Sequence, residues 1–246
     1  MAENSIKIVV VGETGVGKTA IIQRFTDSNF TEDFKATVGA DFSSHWVDVP
    51  VDGVQNLTRA SMFEGGSGRG FRDSLAALER PSVDGKSRKV QLQIWDTAGQ
   101  ERYRSLSLSY FKGCEAAMVV FDVCSADSYS KLSHWLDEVL RGTGRQSLDG
   151  FPVFIVGNKI DQPVGQHAVS SEEASQVMMQ RGLPYMTCSA KTGQHVESIF
   201  RALALQALDE RSVVKEERAS SVKLSSSAVA KVRPPRPVGK EDDCSC

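Results

Sequence analysis

A glycine-rich stretch near the start of the chain has the pattern of a phosphate-binding loop. Residues 12–19, Gly-Glu-Thr-Gly-Val-Gly-Lys-Thr, match G-x-x-x-x-G-K-[ST] and lie between a β-branched run and a predicted helix. Glycines let backbone N–H groups point at phosphate oxygens, Lys18 can reach the β- and γ-phosphates, and the Thr19 hydroxyl can bind Mg²⁺. The alternative, an ordinary glycine-rich turn, is disfavoured by the flanking strand and helix.

A second motif, at residues 158–161, indicates which base such a site holds. The sequence Asn-Lys-Ile-Asp follows a predicted buried strand, and the Asp161 carboxylate can accept paired hydrogen bonds from the N1–H and exocyclic amine of guanine. Adenine offers no such donor pair, so Asp161 would be left unpaired against ATP. In isolation the motif is common in surface loops, but here it follows both a phosphate loop and a later strand.

A third motif lies between the other two and can supply the chemistry of hydrolysis. Asp96, at a predicted strand end, can hold Mg²⁺ through water, and Gly99 can present its N–H to a γ-phosphate. Gln100 can orient an attacking water molecule. The three motifs together predict a site that binds GTP and hydrolyses it to GDP.

Hydrophobic periodicity predicts the elements that position these motifs. β-branched runs at 6–11, 116–121 and 153–156 are typical of strands buried on both faces. Strands that alternate with helices predict an α/β fold, a mostly parallel sheet with helices on both faces, in a domain that spans residues 5–211. The predicted helices occupy 18–25, 128–140, 171–181 (with Ser170 and Glu173 at capping-box spacing) and an apolar stripe from Val196 to Leu208.

Composition argues against several other classes of protein. The 246-residue chain has a formal charge of −2, which gives no electrostatic reason to expect a nucleic-acid partner. No apolar run approaches the roughly 18 residues of a membrane span, and the first residues lack the features of a signal peptide, so we expect the cytosolic side. The five cysteines show neither metal-ligand spacing nor a disulfide framework, and we expect reduced thiols.

Two segments fall outside the alternating pattern. From about residue 52 to 88 the chain is polar and glycine-rich, which favours a flexible loop inserted in the domain. Its glycines lack the G-x-G-x-x-G spacing of a second nucleotide site. Residues 212–246 contain Ser, Lys and Pro without apolar periodicity, which predicts a disordered tail.

Taken together, the motifs resemble those of the Ras-like small GTPases, and within them those of the Rab proteins. The resemblance covers nearly the whole chain except the glycine-rich segment and much of the tail, and it implies a P-loop NTPase fold with a six-stranded sheet. It also implies GTP and GDP as substrate and product, with Mg²⁺ as cofactor. Residues 34–42 resemble the first switch of Rab proteins, and residues 188–191 resemble their last base-binding loop.

The resemblance implies a role for each matching residue. Thr37 is expected to bind Mg²⁺ together with Thr19, and Asp96 to hold the metal through water. Gln100 and Lys18 are the expected catalytic residues. The expected GTP-binding residues are Gly12, Glu13, Thr14, Gly15, Val16, Gly17, Lys18, Thr19, Ala20, Phe30, Thr37, Gly99, Asn158, Lys159, Asp161, Ser189, Ala190 and Lys191.

Further features bear on the branch of the family. Phe42, Trp95 and Tyr110 match the aromatic triad through which Rab proteins contact effectors, although partly buried strand aromatics would look the same in sequence. The first switch and the final Cys-Ser-Cys are most like the late-endosomal and lysosomal Rab branch. The insertion is a departure from the family, either an interaction loop or a retained non-coding segment, and Thr14 is a second departure that bears on the hydrolysis rate.

The implied function is a switch in vesicle and endosomal membrane traffic, between late endosome and lysosome or vacuole. Implied partners are a GTPase-activating protein, an exchange factor, a prenylation escort or GDP-dissociation inhibitor, and effectors. Hydrolysis is expected to be slow without the activating protein, because no obvious catalytic arginine is supplied in cis. Cys244 and Cys246 are similar to the Cys-x-Cys ending that carries two geranylgeranyl groups, which implies the cytosolic face of intracellular membranes and a cytosolic pool.

Two alternatives from other functional classes have less support. A scaffold that holds nucleotide but barely hydrolyses it is disfavoured by the presence of Gln100 and Thr37. An ATP-dependent kinase or ATPase would need an acceptor site or lid, and it is disfavoured by Asp161.

Overall fold

Strands and helices alternate along the chain, as the sequence predicts. The computed structural model describes residues 4–32, 36–37, 39–50, 87–99 and 109–229, with side chains as far as Lys215. In chain order the elements are β1 Ser5–Gly12, α1 Lys18–Asp27, β2 Ala40–Pro50, β3 Ser87–Thr97, β4 Ala116–Asp122, α2 Ala126–Ser130, α3 Leu132–Thr143, β5 Val153–Asn158, a 3₁₀ turn Val164–Gln166, α4 Ser171–Gln180, β6 Tyr185–Thr187 and α5 Val196–Val229.

The six strands form one mostly parallel sheet, with the order β2-β3-β1-β4-β5-β6. Only β2 and β3 pair in an antiparallel manner, from Ala40 opposite Thr97 to Pro50 opposite Ser87, while the other neighbouring strands of this sheet are parallel. The predicted fold class is therefore confirmed. Tertiary contacts divide the chain into two units, Met1–Glu210 and Arg211–Cys246, and the sheet belongs to the first.

Helices cover both faces of the sheet, because neighbouring residues of a strand point to opposite sides. Ile8 and Val10 of β1 pack in one core with residues of α1 and α5. Val9 and Val11 pack in a second core with residues of α3 and α4. All of β1 is buried, which explains its continuous run of β-branched residues.

The motif-bearing loops follow the carboxyl ends of the parallel strands. The register pairs Val10 of β1 with Asp96 of β3, and Asp122 of β4 with Asn158 of β5. The loops after β1, β3 and β5 therefore open at one edge of the sheet, which is where open α/β sheets bind their ligands.

The prediction of a single helix over 128–140 was wrong in one respect, since the chain forms two helices there, α2 and α3. They are separated at Lys131, where φ is −85° and ψ is 0°. The Ser128 hydroxyl donates to the Ser125 carbonyl at 2.9 Å and accepts from the Asp122 N–H at 3.0 Å. These bonds tie the first turn of α2 to the end of β4.

The predicted capping residue is confirmed, because Ser170 Oγ accepts a hydrogen bond from the Glu173 N–H at 3.3 Å. The start of β3 differs from the sequence prediction. β3 begins at Ser87, inside the predicted loop of 52–88, and residues 51–86 lie outside the described residues.

The last helix, α5, extends further than the sequence predicts. It continues to Val229, whereas the sequence favours a tail without structure from residue 212. Residues 212–229 contain helix-forming Lys, Glu, Arg, Ala and Leu, and neither Gly nor Pro interrupts them. None of the helices in the described part of the chain has the length and apolar character needed to cross a membrane.

Candidate functional site

A cleft of about 540 Å³ opens at the carboxyl edge of the sheet. The structure brings residues from all three motifs into its lining. The predicted residues that line it are Thr14, Gly15, Gly17, Lys18, Thr19, Ala20, Phe30, Thr37, Gly99, Asn158, Lys159, Asp161, Ala190 and Lys191. The lining residues that sequence reasoning missed are Gln23, Thr31, Glu32, Ala36 and Gln162.

Helical spacing could have found one of the missed residues. Gln23 lies one turn after Thr19 on α1, so the two side chains share a face of the helix. Thr31 and Glu32 follow Phe30 directly, but they carry no motif that singles them out.

The phosphate loop adopts backbone conformations that require glycine. Gly15 and Gly17 have φ of +79° and +96°, in the left-handed region. A Cβ atom on Gly17 would lie 2.3 Å from Asn158 Nδ2, so the loop also packs too closely for any side chain there. Gly17 is the N-cap of α1 and no side chain caps this helix, which leaves its first N–H groups available for an anion.

Lys18 is held in place by the loop that it serves. Its side chain is only 5% exposed, and Nζ donates hydrogen bonds to the carbonyls of Gly12 at 2.8 Å and Glu13 at 2.9 Å. Burial lowers the pKa of Lys18 to about 8, against the opposing effect of the Asp96 and Glu13 carboxylates. The ammonium group is thus positioned against the loop backbone, at the lining of the cleft.

Glu13 has a different position from the one its place in the motif suggests. It does not line the cleft, and its side chain points to α3. Trp135 Nε1 donates to Glu13 Oε1 at 3.1 Å, and Lys131 Nζ pairs with Glu13 Oε2 at 3.1 Å. The side chain therefore fastens the phosphate loop to α3, while the backbone carbonyl holds Lys18.

Three side-chain oxygens converge beside the start of α1. The Thr19 hydroxyl lies 3.0 Å from the Thr37 hydroxyl and donates to Asp96 Oδ2 at 2.5 Å. Asp96 Oδ1 is buried and has no hydrogen-bond partner among the described residues. Burial raises the pKa of Asp96, while hydrogen bonds from the two threonines and the charge of Lys18 lower it.

This oxygen cluster fits a Mg²⁺ ion. Hydroxyl and carboxylate oxygens are the ligands that Mg²⁺ prefers, and the ion commonly keeps several waters. The unpaired Oδ1 of Asp96 is a buried acceptor that a metal-bound water can satisfy. Thr19, Thr37 and Asp96 therefore match the donor set that the resemblance implies.

At the other end of the cleft, the Asp161 carboxylate is oriented by its neighbours. Ser189 Oγ donates to Asp161 Oδ1 at 2.6 Å, and Gln162 Nε2 donates to Oδ2 at 3.2 Å. Lys159 has a left-handed backbone, with φ of 72°, and its ammonium group pairs with Asp122 at 2.6 Å. The acceptor that the sequence assigns to guanine is thus held in a fixed direction at the lining of the cleft.

Phe30 and Lys191 both line the cleft. Phe30 is half-buried and packs against the core shared by α1 and α5. Lys191 Nζ pairs with Glu32 Oε1 at 2.9 Å, across the two loops that bound the cleft. Both members of this pair are largely exposed, so its contribution to stability is small.

The predicted aromatic triad is contiguous in space. The rings of Phe42 and Trp95 meet edge to face at a centroid distance of 5.4 Å, and Trp95 lies 5.6 Å from Tyr110. Phe42 is 48% exposed, whereas the other two rings are half-buried. Trp46, on the same face of β2, is also exposed, and sequence reasoning did not single it out.

Some predicted residues lie outside the described residues. Gln100, Cys244 and Cys246 are among them, so no geometry is assigned to them. The described cysteines, Cys114, Cys124 and Cys188, are free thiols.

Comparison with known proteins places the chain among GTP-binding proteins. A family model described as Ras family matches residues 7–57 and 75–209. The chain is 32% identical to GTP-binding protein yptV5 of Volvox carteri, over 82% of each chain. It is 31% identical to Ypt/Rab-type GTPase YPT7 of Saccharomyces cerevisiae, over 85% of this chain and 84% of the relative. It is 32% identical to Ras-related protein Rab7 of Pisum sativum, over 82% of each chain.

Proposed function

Because the chain belongs to the Ras family and, within it, to the Rab-type GTPases similar to Rab7 and Ypt7, we propose that its cleft is the GTP site of a membrane-traffic switch. One observation carries the assignment: the phosphate loop and an oriented Asp161 line the same cleft. We assign the GTPase domain to residues 5–211, with the insertion, and the remaining 212–246 to a tail.

The base end accounts for the choice of guanine. Asp161 accepts the paired donors of the base, and the hydrogen bond that Ser189 donates to it keeps the carboxylate aligned with them. Phe30 flanks the ring, and Ala190 and Lys191 border it from the last loop. ATP is disfavoured because adenine offers no donor pair at the edge that faces this carboxylate, so the hydrogen bonds made by guanine are lost.

The phosphate end of the cleft accounts for binding of the phosphate groups of the nucleotide. Backbone N–H groups of residues 13–19 and the start of α1 surround the phosphates, and Lys18 contributes a positive charge that is already in place. Thr19, Thr37 and Asp96, the last through water, would hold Mg²⁺ here. The ion would supply positive charge that offsets the negative charge of the phosphates.

Hydrolysis requires a water molecule in line with the γ-phosphate. Gln100 orients it, and Lys18 stabilises the negative charge that develops on the phosphate oxygens. No arginine of the described residues lines the cleft, so a GTPase-activating protein supplies one and raises a slow intrinsic rate by roughly 10³ to 10⁵.

The switch itself follows from two contacts that depend on the γ-phosphate. Thr37 and the Gly99 N–H contact it in the GTP state and lose the contact after hydrolysis, so the loops that carry them are ordered with GTP and relax with GDP. Effectors bind the ordered state through Phe42, Trp95 and Tyr110. An exchange factor reloads GTP, and a GDP-dissociation inhibitor or prenylation escort binds the lipidated form.

Membrane attachment is assigned to the tail. Cys244 and Cys246 carry two prenyl groups, since two chains give stable anchoring where one gives only reversible binding. The protein then works on the cytosolic face of late endosomes and of the lysosome or vacuole, with a cytosolic pool.

The test is nucleotide selectivity combined with hydrolysis. The purified protein should bind GTP and GDP in the presence of Mg²⁺ and release phosphate in a single-turnover assay, while ATP at the same concentration should not compete. Asp161→Ala should weaken GTP binding by several kcal/mol, roughly 10²-fold or more, because it strands the guanine donors. Equal affinity of the wild type for ATP and GTP would refute the proposal.

A further inference from the structure

Arg24, in the last turn of α1, donates hydrogen bonds to three backbone carbonyls. Nε donates to Ala190 at 2.8 Å, Nη2 to Lys191 at 2.5 Å and Nη1 to Ser28 at 2.9 Å. Arg24 is not among the residues that line the cleft. Because a guanidinium group is planar and its donors point in fixed directions, one side chain can hold separate segments in a fixed relation.

The segments that Arg24 joins are two walls of the base end. Ala190 and Lys191 line the cleft on one side. On the other side, Ser28 has a left-handed backbone with φ of 54°, where the chain turns towards Phe30. The guanidinium carbon lies 6.0 Å from the centre of the Phe30 ring, so the same group contacts the residue that flanks the base.

The loop that Arg24 holds also determines the direction of the Asp161 carboxylate. Ser189, directly before Ala190, donates to Asp161 Oδ1 at 2.6 Å. The Ala190 N–H donates to Asn158 Oδ1 at 3.1 Å. The loop is therefore fixed on its inner side by two residues of the guanine motif and on its outer side by Arg24.

We infer that Arg24 is a positioning residue that sets how long a guanine nucleotide stays bound and how well Asp161 is aligned with the base. The inference rests on the proposed nucleotide site. The neighbouring Lys191–Glu32 pair cannot replace Arg24, because both of its members are largely exposed and such pairs contribute little.

The experiment compares Arg24→Lys with the same substitution at Arg141, which pairs with Glu138 on its own helix. Each full-length protein is loaded with fluorescent GDP and Mg²⁺, and dissociation is followed after an excess of unlabelled GDP is added. Lysine keeps the charge, but its donors all lie on one nitrogen and cannot reach the three carbonyls that the three guanidinium nitrogens bond, so we expect Arg24→Lys to release GDP about 10- to 100-fold faster. Arg141→Lys should match the wild type.

Two further readouts separate positioning from a general loss of stability. Single-turnover hydrolysis of bound GTP should stay within about twofold of the wild type, because Arg24 lies in the last turn of α1 whereas Lys18 and Thr19 lie in its first turn. The preference for GDP over inosine diphosphate, which keeps N1–H but lacks the exocyclic amine, should shrink in Arg24→Lys. A variant that was only less stable would release both nucleotides faster by the same factor.

The outcomes distinguish this inference from the proposed function. If the wild type binds no guanine nucleotide, the proposed function fails. If the wild type binds guanine nucleotide and Arg24→Lys releases GDP at the wild-type rate, Arg24 is not a positioning residue. The same conclusion holds if Arg24→Lys releases GDP and inosine diphosphate faster by the same factor. Arg24→Gln, which keeps one donor group, provides the same comparison should the lysine variant fold poorly.

Discussion

Asn158 donates a hydrogen bond from its side-chain amide to the Val16 carbonyl at 2.9 Å, and so links the guanine motif to the phosphate loop. The amide oxygen accepts from the Ala190 N–H at 3.1 Å, which extends the link to the last base-binding loop. The side chain is only 1% exposed. A single buried amide thus joins the phosphate loop, the guanine motif and the last base-binding loop.

Replacing Asn158 with alanine should both destabilise the protein and shorten the time for which GDP stays bound. Two buried backbone groups lose their partners, which costs about 2 to 5 kcal/mol in the free energy of unfolding. Urea unfolding at a fixed GDP concentration, with GDP release measured in parallel, checks both. Asn158→Asp keeps the acceptor for Ala190 but places a buried carboxylate oxygen against the Val16 carbonyl, so it should destabilise the protein at least as much as alanine does. Unchanged stability in the alanine variant would contradict this account.

Gly99→Ala should disturb the contact between the third motif and the phosphate loop. A Cβ atom at Gly99 would lie 2.4 Å from the Thr14 nitrogen, so one of the two backbones must move. We expect single-turnover GTP hydrolysis to slow by about 10-fold or more, because a small misplacement of reacting groups has effects of this size. Gly165→Ala is the matched control, since nothing lies within 4 Å of a Cβ there. Equal rates for both variants would argue against a role for this close approach.

Two substitutions should move the switch in opposite directions. Thr19→Asn disturbs the oxygen cluster with Thr37 and Asp96, and it should favour the GDP-bound or empty protein. Gln100→Leu removes the group that orients water and should keep GTP bound. The measurement is capture of partner proteins from a lysate by each variant at equal loading. Identical partners at equal yield would mean that the bound nucleotide does not control recognition.

Membrane attachment should depend on both cysteines of the tail. Cys244→Ser combined with Cys246→Ser should leave the protein in the supernatant after fractionation, while each single variant should pellet only in part, since lipid binding grows by about 0.8 kcal/mol per buried CH₂. GTP hydrolysis by the purified double variant should equal that of the wild type. Mass spectrometry of the C-terminal peptide shows whether prenyl groups are present. A double variant that pellets like the wild type would contradict the assignment.

The position of the site follows from the sequence to a large extent. The phosphate loop and the guanine motif each come directly after a run of β-branched residues. Because the carboxyl ends of parallel strands share an edge, this pattern predicts one cleft for Lys18 and Asp161. The strand and helix pattern was equally informative, because burial on both faces requires continuous apolar runs.

Contacts between distant residues could not be predicted in the same way. The bonds from Arg24 to Ala190 and from Trp135 to Glu13 join residues more than a hundred positions apart, and no local pattern marks either pair. The break at Lys131 and the hydrogen bond between Ser128 and the end of β4 could not be predicted either, because helix propensity contains no information on contacts with other elements.

The antiparallel register of β2 and β3 has a consequence for how this protein can be altered. Pro50 and Ser87 are opposite one another, so the chain leaves and re-enters the sheet at neighbouring backbone positions, roughly 5 Å apart. This hairpin end lies at the amino end of β3, whereas the cleft lies at the carboxyl end. Each doubling of the length of the connecting segment raises the free-energy cost of closing it by only about 0.6 kcal/mol. The position is therefore an insertion site, where evolution or an engineer can exchange whole sequences, such as a fluorescent reporter, without changing the cleft.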